Sequence, residues 1–314
     1  MDGRVVEEIA PAESPAACFG FRVRSPLPLQ YLRYGDGDAL DLLGPSFHHP
    51  PDQSALLVEW LPRPGRPLHA RLYTDGDRYH LWSSGDEWFV IDPRAGSILL
   101  PETHDVVGRE ERLWGIPAAL CYLHRGDLPL HAAAVQVEGR AMLFAGPGRY
   151  GKTTLAAAFH AAGYRLLSED QSCVRYTSAP AVIPGPAMLR VRRDVLKDLR
   201  LPGAQVVAEQ GERVSFAVDT AARGDCRPVP LASVVFLRRS AEDIRLERIP
   251  PARSVPDLWA VTFRLPTPTD LHRCFSAITS IAWDVPVWNL YRPLRAEDLQ
   301  ATVKRVVATC LADG

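Results

Sequence analysis

Gly146-Pro-Gly-Arg-Tyr-Gly-Lys-Thr-Thr154 is the stretch on which the reading of this chain turns. A short apolar run, Ala141-Met-Leu-Phe-Ala145, leads into it, and an Ala-rich run from Leu155 to Ala162 leads out. That order predicts strand, tight loop, helix. Gly146, Gly151, Lys152 and Thr153 satisfy G-x-x-x-x-G-K-[ST], the phosphate-binding loop. Its glycines let backbone amides close around an anion, and the helix behind adds positive dipole at its N-terminus. Gly146, Gly148, Arg149, Tyr150, Gly151, Lys152, Thr153 and Thr154 are therefore expected to cradle a nucleotide's phosphates. Lys152 would reach the β- and γ-phosphates, and the Thr153 hydroxyl would hold Mg²⁺. ATP with Mg²⁺ is the expected pair.

Lysine occurs only at 152, 197 and 304, and arginine carries the remaining basic charge. A guanidinium is a planar fork, whereas a compact ammonium fits among phosphates as a point charge. The competing reading is a Gly-rich turn with a solvated lysine.

Downstream, Gly163 ends the loop helix and Tyr164-Arg-Leu-Leu167 reads as a strand delivering Ser168-Glu169-Asp170. Adjacent carboxylates at a strand end supply what a metal ligand and a general base need. A polar turn is the plain alternative. Upstream, Leu128-Pro-Leu-His-Ala-Ala-Ala-Val-Gln-Val137 reads as one strand, with His131 on it and Gly139 turning it into the loop strand. His131 can lie beside the γ-phosphate, although a lone histidine on an apolar strand is commonly a core residue.

At 314 residues, 46% hydrophobic and 23% charged, the chain is a globular protein of one large or two ordinary domains. A net charge of −1 excludes a nucleic-acid grip resting on bulk positive charge. Six cysteines without C-x-x-C spacing read as buried thiols in a reducing compartment. No apolar run is long enough for a bilayer and the N-terminus lacks a signal pattern, so a cytoplasmic location without membrane contact is expected. A homo-oligomer is compatible with this composition.

Residues 1–50 are rich in Pro and turn residues. From Ala55 the pattern is a β-meander: Ala55–Trp60, Leu68–Tyr73, Arg78–Ser83 and Glu87–Ile91, with Asp75-Gly76 as a type I′ hairpin turn. His48-His49, with no third ligand at suitable spacing, reads as a solvated loop pair. Around 105–126 the pattern becomes helical, with Leu113, Ile116, Leu120 and Leu123 on one face. The domain boundary is placed near 105. Farther on, Ser172–Tyr176, Arg213–Val218, Leu231–Leu237, Ile244–Ile249 and Val285–Tyr291 read as strands, and Pro180–Pro186 as a loop. Arg192–Arg200, 253–264, Thr269–Ala282 and Ala296–Leu311 read as helices, the third with Leu271, Phe275, Ile278 and Ile281 on its apolar face.

His131, the loop and Leu166-Leu-Ser-Glu-Asp170, at these spacings, resemble the C-terminal catalytic domain of HPr kinase/phosphorylase. Ala132 stands where that family has glycine, and Glu169 stands for the first aspartate of its Asp-Asp pair. The chain is more similar to the HPr-kinase-like tailoring kinases of ribosomally made, lasso-type peptides. They share the Leu-Pro-Leu-His-Ala-Ala start and a Pro-Gly-Pro loop followed by an Arg/Leu-rich stretch, here Pro184 to Arg193. The resemblance spans roughly 105–314 and is strong across 128–171. It implies an α/β, phosphoenolpyruvate-carboxykinase-like core behind an N-terminal β-rich domain, and phosphorylation of a serine- or threonine-type hydroxyl. It also ties Glu169 and His131 to catalysis, and places Arg213 loosely near the phosphates.

The leading expectation is an ATP-dependent kinase acting on a peptide or small-molecule hydroxyl. Lys152 binds phosphate, Thr153 and Asp170 hold Mg²⁺, and Glu169 takes the hydroxyl proton with His131 assisting. The β-rich residues 1–105 would present the acceptor, or serve as a purely structural layer covering the kinase domain. The alternative is a nucleotide-binding regulatory or recognition protein without phosphoryl transfer.

Overall fold

The computed structural model describes residues 15–60, 70–83, 87–218 and 225–311. The fold is mixed α/β, built on two large sheets.

The first sheet uses β1 (Ala16–Cys18), β2 (Phe21–Arg24), β3 (Arg33–Tyr34), β4 (Asp38–Ser46), β5 (Ala55–Trp60), β6 (Ala70–Thr74), β7 (Tyr79–Ser83), β8 (Trp88–Asp92) and β9 (Ser97–Pro101). Its order is β3-β1-β2-β4-β9-β8-β7-β6-β5. The meander from β5 to β8 is where alternation predicts it. The spacing does not predict strands β1 to β4 and β9, because they are short or, like β4, contain Gly44-Pro45. The β6–β7 turn is not the two-residue type I′ form: Thr74 pairs with Tyr79, leaving four residues in the loop. There the Thr74 hydroxyl accepts from the Gly76 amide and donates to the Arg78 carbonyl. His48 is also not simply solvated. It stacks on buried His80, ring nitrogens 3.1 Å apart, and His80 contacts Asp75.

Two helices follow, α1 (Val106–Leu113) and α2 (Ile116–His124). The expected single helical section breaks at Trp114-Gly115, and Pro117 enters the first turn of α2, where a missing amide costs nothing. The second large sheet contains β10 (Leu128–Leu130), β11 (Ala132–Val137), β12 (Arg140–Ala145), β13 (Arg165–Ser168), β14 (Ser172–Tyr176) and β15 (Pro180–Ile183). Between β12 and β13 runs α3 (Lys152–Ala161). Then come β16 (Met188–Arg192), the four-residue α4 (Arg193–Leu196), β17 (Gln205–Gln210) and β18 (Arg213–Ala217). Strand β15 occupies the expected Pro180–Pro186 loop, and α4 is all that forms of the Arg192–Arg200 helix. The chain ends with β19 (Val229–Arg239), β20 (Arg245–Ile249), α5 (Pro251–Val261), α6 (Pro268–Asp284), β21 (Val287–Arg292) and α7 (Leu299–Cys310).

The second sheet runs β10-β14-β15-β19-β12-β11-β13, with β21 on β19 and β20 on β21. Its centre, β12-β19-β21, is parallel. Such strands bury both faces. On β12, Ala141, Leu143 and Ala145 join one core, while Met142 and Phe144 join the other. The second core packs under α3 and α7, with Phe144 and Phe159 rings 5.0 Å apart. The first core is continuous from the N-terminal sheet (Leu40, Phe89, Ile98) through Trp114 to Leu143, Phe236 and Ile278. On α6, Ile278 and Ile281 are buried as expected, but Leu271 and Phe275 are exposed; Cys274 and Ala282 take the inward positions.

Buried polar contacts also cross residue 105. Glu110 accepts from the Gln30 and Tyr31 amides, and the Arg33 guanidinium donates to the Gly185 and Leu166 carbonyls. All six cysteines are buried. Among the described residues no helix is long and apolar enough to cross a membrane.

Candidate functional site

Strand directions bring the singled-out residues to one edge. Strand β11 runs antiparallel to both β12 and β13, so β12 and β13 point the same way. The start of β11 therefore meets the ends of both neighbours: Ala132 pairs with Ala145, and Ala134 with Ser168. His131, Gly146 and Glu169 leave the sheet side by side. His131 sits where the expected single strand breaks, since β10 pairs with β14 and β11 with β12. Its amide donates to the Val261 carbonyl at 2.7 Å.

The loop closes as its glycines predict, with one exchange. Gly146 and Gly151 take positive φ, 146° and 83°. A Cβ on Gly151 would lie 2.5 Å from Arg292 Nη2, so glycine is required twice over. Gly148 has neither positive φ nor a close neighbour; Arg149, at φ 68°, takes the left-handed conformation instead. Gly151 then caps α3, which aims its first amides into the loop. The buried Lys152 ammonium donates to the Gly146 carbonyl at 2.9 Å.

The loop opens on a cavity of about 730 Å³ lined by His131, Gly148, Arg149, Gly151, Lys152, Thr153, Thr154, Asp170, Arg190, Arg192, Glu212, Arg213 and Arg239. Larger by volume is a groove of about 970 Å³ between α3 and α7, but it carries none of these groups. Gly146 and Tyr150 do not line the cavity. The Tyr150 ring packs into the core under α3, with Arg239 stacked 4.9 Å away.

Glu169 is 2% exposed, and both its oxygens are engaged. Thr153 Oγ1 donates to Oε1 at 2.6 Å, and Arg190 Nε donates to Oε2 at 2.9 Å. Asp170 is different. Its side chain is 47% exposed, with Oδ1 3.6 Å from His131 Nδ1 and Oδ2 3.8 Å from Arg190 Nη2. Burial pushes the Asp170 carboxyl up, but His131, Arg190, Lys152 and Arg213 outweigh it and hold the group below the ordinary carboxylate range. Burial holds the His131 imidazole below its usual value despite Asp170. The carboxylate of Glu169, with those of Asp170 and Glu111, keeps the Arg190 guanidinium firmly charged.

Among the cavity residues that sequence reasoning missed (Arg192, Glu212 and Arg239 are the others), Arg190 is the one that holds Glu169. It stands on β16, a strand that was not expected, between the buried Leu189 and Val191. A third carboxylate, Glu111 on α1, lies 3.7 Å from its Nη1 and also accepts from the Ser215 hydroxyl. Alternation alone predicts a charged residue at 190 facing away from the core; nothing in the spacing ties it to the loop.

No family model and no curated protein matches the chain. Among solved structures, the HPr(Ser) kinase/phosphatase from Coxiella burnetii overlaps 59% of this chain and 99% of its own, at 11% identity and a TM-score of 0.32. At that score the overlap carries no argument, and the functional reading rests on the site.

Proposed function

We propose that this protein is an ATP- and Mg²⁺-dependent phosphotransferase, transferring a γ-phosphoryl group to a serine- or threonine-type hydroxyl of a peptide or small molecule. The core would be of the phosphoenolpyruvate-carboxykinase type. One observation carries the reading: a phosphate-loop geometry and an exposed carboxylate–histidine pair share one cavity. Loop amides, Lys152 and the arginines would neutralise the triphosphate, and most of the rate would come from positioning and charge stabilisation.

The donor set suits Mg²⁺, which takes hard oxygens, keeps waters and shares phosphate oxygens. Thr153 offers its hydroxyl with carboxylates directly behind and beside it. Bound there, Mg²⁺ would offset charge on the β- and γ-phosphates.

A peptide acceptor has support in β5, the outermost strand of the N-terminal sheet, whose exposed Leu56 lies on an edge that an extended chain can extend. The competing reading, nucleotide binding without transfer, is favoured by the engagement of both Glu169 oxygens. Incubation with γ-labelled ATP and hydroxyl-bearing peptides separates the two. Labelled acceptor is expected; ATP binding with no transfer to any hydroxyl, water included, would establish the competing reading.

A further inference from the structure

Neighbouring carboxylates after β13 differ in what they face. Both oxygens of Glu169 point at protein groups, Thr153 on one side and Arg190 on the other, and the residue is absent from the cavity wall. Asp170 and His131 are both on that wall and each nearly half exposed. A base has to touch the proton it removes, so geometry comes before acidity. Glu169 cannot reach a hydroxyl in the cavity without surrendering a partner. Asp170 already faces the space in which an acceptor would sit.

Resting on the phosphotransferase reading above, we propose that the carboxylates divide the work in the order opposite to the one the sequence suggests. Asp170 is the catalytic residue that receives the acceptor's proton, with His131 orienting it. Glu169 is a positioning residue for Thr153. In the step, the acceptor O–H proton passes to an Asp170 oxygen as the acceptor oxygen bonds to the γ-phosphorus. The bond from that phosphorus to the β–γ bridging oxygen breaks, and its electron pair leaves on ADP. The proton of the Thr153 hydroxyl is committed to Glu169, which turns the oxygen lone pairs toward the loop, where a cation and the phosphates would meet. Arg190 fixes Glu169 from behind and is itself fixed by Asp170 and Glu111.

The test uses the full chain with ATP and Mg²⁺ alone, so no acceptor need be known. Calorimetry measures ATP affinity across a Mg²⁺ series for the wild type, Glu169→Gln and Asp170→Asn, and labelled phosphate release to water gives turnover. Loss of a group that orients a metal ligand costs about 10-fold or more in metal requirement. Glu169→Gln is therefore expected to raise the Mg²⁺ needed for ATP binding about 10-fold and to regain turnover when Mg²⁺ is raised. Asp170→Asn is expected to bind ATP with the wild-type Mg²⁺ requirement and to lose turnover by about 100-fold or more, unrescued by Mg²⁺. Should Glu169→Gln fail to fold, Arg190→Lys loosens the same carboxylate and is expected to shift the Mg²⁺ requirement in the same direction. A raised Mg²⁺ requirement in Asp170→Asn, or an unchanged one in Glu169→Gln or Arg190→Lys, overturns the division. The binding series decides even where water is a poor acceptor. Absence of ATP binding by the wild type is a separate result, which overturns the phosphotransferase reading and this division with it.

Discussion

Arg292 lies directly under Gly151: its Nη2 is 3.4 Å from the Gly151 carbonyl oxygen and 2.5 Å from where a Cβ on that glycine would stand. The guanidinium is 1% exposed, and burial lowers its proton affinity without neutralising it. Gly151→Ala therefore meets a left-handed backbone that costs about 1–2 kcal/mol for an L side chain, and it also requires the buried end of Arg292 to shift. ATP affinity is expected to fall at least about tenfold, with the far-ultraviolet spectrum unchanged. A variant that binds ATP as well as the parent would show that loop and guanidinium separate freely.

Lys152→Ala removes the compact cation from the cavity floor. A loss of about tenfold or more in ATP affinity or turnover is expected, equivalent to about 1.4 kcal/mol. Equal affinity and equal turnover in parent and variant would remove the phosphates from this loop.

Asp127 is clamped between Arg125 Nε at 2.7 Å and Arg175 Nε at 2.9 Å, and its side chain is 4% exposed. Burial raises its carboxyl, but Arg175 and Arg125 more than reverse this and hold it below the ordinary value. A depressed folded value means stability that is present above the unfolded pKa, about 3.9, and lost as pH falls through the folded one. Asp127→Asn is expected to cost about 3 kcal/mol near neutrality, because two guanidinium groups lose their counter-charge. Its urea stability should then fall less steeply than that of the parent below about pH 4. Parallel decline in the two proteins would mean that the clamp does not titrate with folding.

The first hydrophobic core and the Glu110 and Arg33 hydrogen bonds cross the boundary expected near 105. A chain beginning at 106 is expected to aggregate or to lack a cooperative thermal transition. A soluble, cooperatively melting fragment that binds ATP would establish autonomy of the second half.

How much of this could be read from the chain depended on how local the signal was. The strand, tight loop and helix around Gly146–Thr154 were legible because they follow one another within about twenty residues, each with its own physical signature. His131 and Glu169-Asp170 were legible because they flank that unit. Their division of labour was not, since it depends on which oxygen Thr153 and Arg190 reach across space. Arg190 escaped notice because β16 finds its partner, β18, more than twenty residues later. Strand β4 is pinned by pairing with distant β9, and β3 by the Arg33 bond to the Gly185 carbonyl; β2 does alternate, but over only four residues. The misassigned face of α6 has a similar cause: Phe275 satisfies helical spacing but packs edge-on against Trp259 at the surface.

The six buried cysteines also have a practical meaning. Burial raises the Cys18 and Cys173 thiols far above their usual value and lifts that of Cys121 to about 12, so these three stay protonated and poorly nucleophilic while the chain is closed. Cys18, Cys121 and Cys173 all belong to the core that joins the two sheets. A thiol reagent added to the native protein therefore acts at these three positions as a clock, reacting there only as fast as that shared core comes apart.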